Sequence, residues 1–234
     1  MRNPSALVSL SIALAATSAS HAGFTGFTAD RVITTEGNTQ YSIYANFDSV
    51  GLPSGKSWVF LNAFNYNGVS GSMNARHQDS AEDVAGNPTS SWSPSANFAV
   101  TVARNNDSWV TASGSGTSDG GDVSLDPAFN ITVFDRIVGT RGGAGWFDAT
   151  PGTQNLVAAG LTTGTFRIKL IQIVRAGDDF TNGMGEYIGQ MDITFKVQDT
   201  ATPLYGTGQF SIGVPAPGAI ALAGLAGLTG RRRR

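Results

Sequence analysis

The chain reads as an all-β protein, a single antiparallel β-sandwich or jelly roll, with an N-terminal signal helix and a short C-terminal apolar helix as its only helical segments. Three observations lead there. Apolar residues recur with a period of two in several runs, as strands with one buried face require. The 30 glycines of the 234-residue chain punctuate those runs as turn formers. Helical periodicity is nearly absent between the two ends, and about eight to ten strand-like runs with turn signals between them fit a sandwich or jelly roll better than any mixed fold.

The elements follow in order. Arg2 supplies a positive n-region, Ala6 to Ala16 a mainly apolar h-region, and Ser20, His21 and Ala22 place small residues at minus three and minus one. Residues 1–22 are therefore expected to be a signal peptide, cut by signal peptidase between Ala22 and Gly23. Arg31 to Thr35 and Gln40 to Phe47 flank Glu36, Gly37, Asn38 and Thr39, which predicts a hairpin; Tyr41, Ile43, Ala45 and Phe47 alternate on its buried face. Trp58 to Tyr66 is a further strand, and Asn97 to Val102 with Ser108 to Ala112 a pair across an Asn105, Asn106, Asp107 turn. Phe166, Ile168 and Leu170 run in phase, then Ile171 and Ile173 shift by one, so that strand carries a bulge or buries both faces. Ile188 to Gln198 sets Met191, Ile193, Phe195 and Val197 against Asp192, Thr194, Lys196 and Gln198, the pattern of a half-exposed antiparallel strand.

The domain at residues 23–213 is followed by a tail, residues 214–234, with three physically distinct parts. Pro215 and Pro217 fix their own φ and bias their predecessors towards extended geometry, so Val214 to Pro217 is expected to be stiff and accessible. Gly218 to Gly230 is uncharged, but as a helix it would span only about 20 Å against a hydrocarbon core of about 30 Å. Arg231, Arg232, Arg233 and Arg234 would hold the extreme C-terminus in the cytoplasm while the rest is exported. A Pro-rich motif, a short apolar segment and a terminal Arg cluster resemble the PEP-CTERM sorting signal. The variant motif here is Val214, Pro215, Ala216, Pro217 and Gly218, with Ala216 where the family has Glu, a form associated with planctomycete-like bacteria. The resemblance is confined to the tail. It implies a transient stop at the inner membrane, removal of the tail by an exosortase-like enzyme, and delivery to the cell surface or extracellular matrix.

Composition narrows the chemistry. There are no cysteines, so disulfides, thiolate nucleophiles and Cys-ligated metals are excluded. The chain has 15 Lys plus Arg and 17 acidic residues; losing Arg2 and the four terminal arginines would leave 10 against 17, a balance of minus 7. Such an acidic surface argues against nucleic acid as a partner. Gly-x-Ser-x-Gly, His-Glu-x-x-His, Walker and Gly-x-Gly-x-x-Gly motifs are absent. No residue is assigned a catalytic role, and no metal site or other cofactor is expected, calcium at Asp119 and Asp122 excepted; their spacing does not match an EF-hand.

Two long polar stretches, Met73 to Pro94 and Ser113 to Asp126, have the length of functional loops. In the first, His77 (the histidine left after signal removal), Asp79 and Trp92 are the candidate ligand-binding residues, with Trp92 placed to stack on a sugar ring. Trp58 and Trp109 stand in apolar or alternating contexts and are expected in the core. Asp178, Asp179 and Glu186 cluster among Gly177, Gly183 and Gly185 and read as a solvated hairpin tip. The resulting expectation is an exported surface or matrix protein, structural, adhesive or glycan-binding, with extracellular polysaccharide as its partner. The alternative is a secreted carboxylate-based glycoside hydrolase on a jelly-roll scaffold.

Overall fold

The computed structural model describes residues 23–75, 107–111, 123–125, 144–148, 157–159 and 164–213. Both terminal segments fall outside them, with Ala22, Val214, Pro215, Pro217, Gly218 and Arg231 to Arg234. So do His77, Asp79, Trp92, Asp119, Asp122 and the strand expected over Asn97 to Val102.

Among the described residues the strands are β1 (Phe24–Ile33), β2 (Thr39–Asp48), β3 (Trp58–Ser70), β4 (Trp109–Val110), β5 (Val123–Leu125), β6 (Ala144–Asp148), β7 (Ala158–Ala159), β8 (Thr165–Arg175), β9 (Tyr187–Val197) and β10 (Leu204–Ile212), with one helical turn, α1 (Asp179–Asn182). The chain is all-β, in two antiparallel sheets. The first runs β1-β2-β8-β4, with β7 also pairing with β8; the second runs β10-β9-β3-β6-β5.

The expected hairpin is β1 with β2, closed by Thr34 to Asn38, where Gly37 takes φ 79° and the Thr34 N–H donates to Asn38 O at 2.8 Å. β1 is longer than its alternation suggested. It begins at Phe24, across a register shift at Gly26, whose φ of 123° no bulky residue would adopt. In β2, Tyr41, Ile43, Ala45 and Phe47 are buried as the alternation requires. The phase change in β8 is a bulge at Leu170, since Ile43 pairs with Ile171 but Tyr44 with Lys169. The Leu170 carbonyl accepts from the Thr111 N–H at 2.8 Å, which gives this kinked strand a second neighbour. Both faces of β8 are also buried, because Lys169, Gln172 and Val174 on the outer side are as inaccessible as the core residues.

The inner residues of the two sheets belong to one hydrophobic cluster. Its aromatic end joins Phe24 and Phe47 of the first sheet to Trp58 and Phe195 of the second; Phe47 lies 5.0 Å from Phe195, edge to face, and Trp58 lies 5.5 Å from it. Each such pair adds about 0.5–1.5 kcal/mol beyond the area it buries. β1 and β10 meet at the edge of the two sheets, where Phe24 and Phe27 lie over Gly206 and Gly208. A Cβ at Gly206 would sit 2.5 Å from the Phe24 ring, so only glycine lets the two edges close.

Candidate functional site

Three polar regions sit on this frame. The first closes one end of the core and corrects the expectation of a solvated tip at Asp178, Asp179 and Glu186. Arg175 and Asp179 are both 0% exposed and form an ion pair at 3.1 Å. Arg175 ends β8 and its guanidinium is used on three sides: Nε donates to Met73 O at 2.8 Å, and the terminal nitrogens donate to Ser72 O at 2.8 Å and Gly185 O at 3.0 Å. Asp179 Oδ2 also accepts from the Tyr41 hydroxyl at 2.8 Å, and the Asp179 N–H donates to Thr39 Oγ1 at 3.1 Å. Burial, with that hydrogen bond and the carboxylate charge, pushes the Tyr41 phenol up to about 12. Asp178 is the solvated member, paired with Arg31 at 2.6 Å, and Glu186 accepts from Ser211 at 2.8 Å. Asp179 leaves solvent because α1 starts on it, four residues after a strand-borne arginine that needs a counter-ion.

The second region is the outer face of the first sheet. The Leu170 bulge puts Lys169 and Gln172 on the same side, opposite Tyr44 and Ser42. Lys169 is 8% exposed; its ammonium donates to Gln172 Oε1 at 2.7 Å and lies 4.5 Å from the centre of the Trp109 ring. Gln172 is held in turn by Gln40 and by Asp107 O. Burial lowers the Lys169 amine to about 8. Trp109 is thus buried as expected, but against this lysine rather than in the inner cluster. Trp58 and Trp146 are the tryptophans of that cluster, and Trp146 Nε1 donates to Thr111 O at 2.9 Å. Further along the face, Arg167 stacks over Tyr44 at 4.1 Å and pairs with Asp30 at 2.8 Å.

The third region, the outer face of the second sheet, has a different composition. One register row crosses it as Tyr205, Thr194, Asn62 and Phe147. Tyr205 is 53% exposed and Phe147 44%. Three strand spacings of about 4.8 Å put the two aromatics ~14 Å apart. The neighbouring rows hold Thr207, Asp192 and Phe64, then Gln209, Gln190 and Asn67. Asn65 lies in a β3 bulge with φ 51°, which returns Tyr66 to the core and lets the Asn65 amide donate to Asp192 Oδ2 at 2.7 Å. Asn62 Oδ1 is inaccessible and has no hydrogen-bond partner among the described residues.

Tyr205 and Phe147 are functional candidates that the tryptophan-led reading passed over. The signal was present for Tyr205, an aromatic in the polar phase of Leu204–Ile212, where Tyr205, Thr207, Gln209 and Ser211 alternate with buried or glycine positions. Among the described residues no group of three His, Asp or Glu side chains is placed to hold a metal ion. No protein-family model matches the chain, and no curated protein or solved structure is significantly similar to it.

Proposed function

We propose that this chain is an exported cell-surface or extracellular-matrix protein of structural, adhesive or glycan-binding type. In this reading its two sheets form a β-sandwich or jelly roll, delivered by an N-terminal signal and a PEP-CTERM-like tail. The observation that carries the reading is how the strands fit between the two targeting segments. β1 starts at Phe24, two residues after Ala22, and β10 ends at Ile212, two residues before Val214. The flanking residues pack directly on the body. The Gly23 carbonyl accepts from the Asp48 N–H at 2.8 Å beside the Trp58 ring, and Gly213, at φ 90°, abuts Gly185 O and Arg175. The exported cargo is then the β body, with no spacer between it and either processing signal.

Intact-mass analysis of the protein recovered from a PEP-CTERM-competent bacterial host tests the sorting. The expected mass lacks residues 1–22 and the terminal arginine cluster. A mature protein that still carries Arg231 to Arg234 contradicts processing. Incubating the same material with neutral polysaccharides and measuring reducing ends separates the binding reading from hydrolysis, since turnover would assign the protein to the enzyme class.

A further inference from the structure

We infer that the outer face of the second sheet is a docking platform for a neutral polysaccharide, stacked on Tyr205 and Phe147 and hydrogen-bonded by the exposed Thr207 and Gln209 beside Tyr205. The inference rests on the glycan-binding reading and gives it a site and a ligand class. A sugar ring offers two chemistries at once, a patch of C–H groups that packs on an aromatic face and a rim of hydroxyls that both donate and accept. The face supplies both: the exposed rings of Tyr205 and Phe147 end one row whose middle members, Thr194 and Asn62 Oδ1, are out of solvent, and the exposed hydroxyl of Thr207 and amide of Gln209 follow Tyr205 along β10.

The ~14 Å between the two rings suits an oligosaccharide segment rather than a single sugar. Charge selects within the class. Across β3, β9 and β10 the charged side chains are Asp192, engaged by Asn65 at 2.7 Å, and Lys196 at the far end opposite Val59. A polyanion finds no cationic cluster here, and a cationic peptide finds one carboxylate already hydrogen-bonded.

The test is affinity electrophoresis of the purified full chain, in mild detergent, through gels containing a β-glucan, a xylan, a galactomannan or the anionic alginate. At least one neutral polysaccharide is expected to retard the protein, and alginate is not. Tyr205→Ala and Phe147→Ala should each weaken that retardation about three- to tenfold, the range expected for one lost aromatic stacking contact. Tyr205→Phe should keep it, the double alanine variant should lose it, and Val50→Ala, exposed in the turn after β2, should leave it unchanged. Thermal unfolding of each variant at the wild-type temperature establishes that binding, not folding, was altered.

Retardation that survives in the double variant would overturn the site while leaving glycan binding in place. Retardation by alginate alone would overturn the ligand class. No retardation by any polysaccharide would overturn both the site and the glycan-binding reading, with the mass test of sorting unaffected. A concentration-dependent dimer that the double variant abolishes would assign the face to a second copy of the chain and overturn the proposal.

Discussion

Lys169 and Asn62 hold comparable positions, each on a central strand with its side chain directed away from the common core, yet they differ in charge and in what stands at the ends of their rows. Around Lys169 the polar groups are enclosed: Trp109 covers the ammonium, Gln172 accepts from it, and Gln40 and Asp107 fix Gln172. Around Asn62 the middle of the row is also out of solvent, with Thr194 8% exposed and the amide oxygen without a partner among the described residues, but the row ends on both sides in exposed rings. Desolvated charge is costly unless paired, so a face that buries a lysine commits its other side chains to holding it. A face with almost no charge carries no such commitment, and its aromatics stay open to a ligand.

The difference is open to attack by substitution, most severely at the cover of the closed face. Trp109→Ala should cost about 3–5 kcal/mol by deleting a buried ring; at about 2–4 °C per kcal/mol for a body of this size, differential scanning calorimetry would register it plainly. A loss under 1 kcal/mol would show that the outer face of the first sheet is as open as that of the second.

Lys169 offers a sharper test through pH. Its folded value of about 8 lies below the unfolded 10.5, so the unfolded state binds the extra proton between them. Stability must therefore rise as pH goes from about 8 towards 10, by on the order of 2 kcal/mol before the Gln172 hydrogen bond and the Trp109 ring offset part of it. Tyr41 acts in the opposite sense above pH 10: its folded value of about 12 exceeds the unfolded 10.0, so stability is lost as pH climbs through that interval. Urea denaturation from pH 7 to 11 should show the rise and then the fall, and Lys169→Met should remove the rise alone.

Smaller effects are expected on the open face. Asn65→Ala should cost about 1–2 kcal/mol, because alanine tolerates φ 51° poorly and loses the bond to Asp192. Asn65→Gly should recover the strain but not the hydrogen bond, and so fall between wild type and Asn65→Ala in the same chemical denaturation experiment. Tyr205→Ala and Phe147→Ala should change stability by under about 0.5 kcal/mol, as exposed substitutions do.

The alternation of Tyr41, Ile43, Ala45 and Phe47, and that of Met191, Ile193 and Phe195, was legible in the sequence because each strand has one wet and one dry side. The shift at Leu170 was legible as a choice between a bulge and double burial; the structure has both, since Trp109 and Gln172 bury the outer side. Asp179 was misread because turn-forming glycines surround it, and a local pattern does not reveal a counter-ion waiting on the preceding strand. β10 was hidden by Gly206 and Gly208, which look like turn residues and are instead the gap into which Phe24 and Phe27 pack. The open face was hidden for a related reason. Phe147 and Tyr205 lie 58 residues apart in sequence and share a row only through the pairing of four strands.

Tyrosine footprinting with and without a saturating neutral polysaccharide compares the two faces in a single sample, because each carries one reporter: Tyr205 on the open face and Tyr44, beneath Arg167, on the closed one. Ligand should protect Tyr205 from modification and leave Tyr44 unchanged. Protection of Tyr44 with Tyr205 unaffected would place the binding surface on the wrong sheet and contradict the proposal.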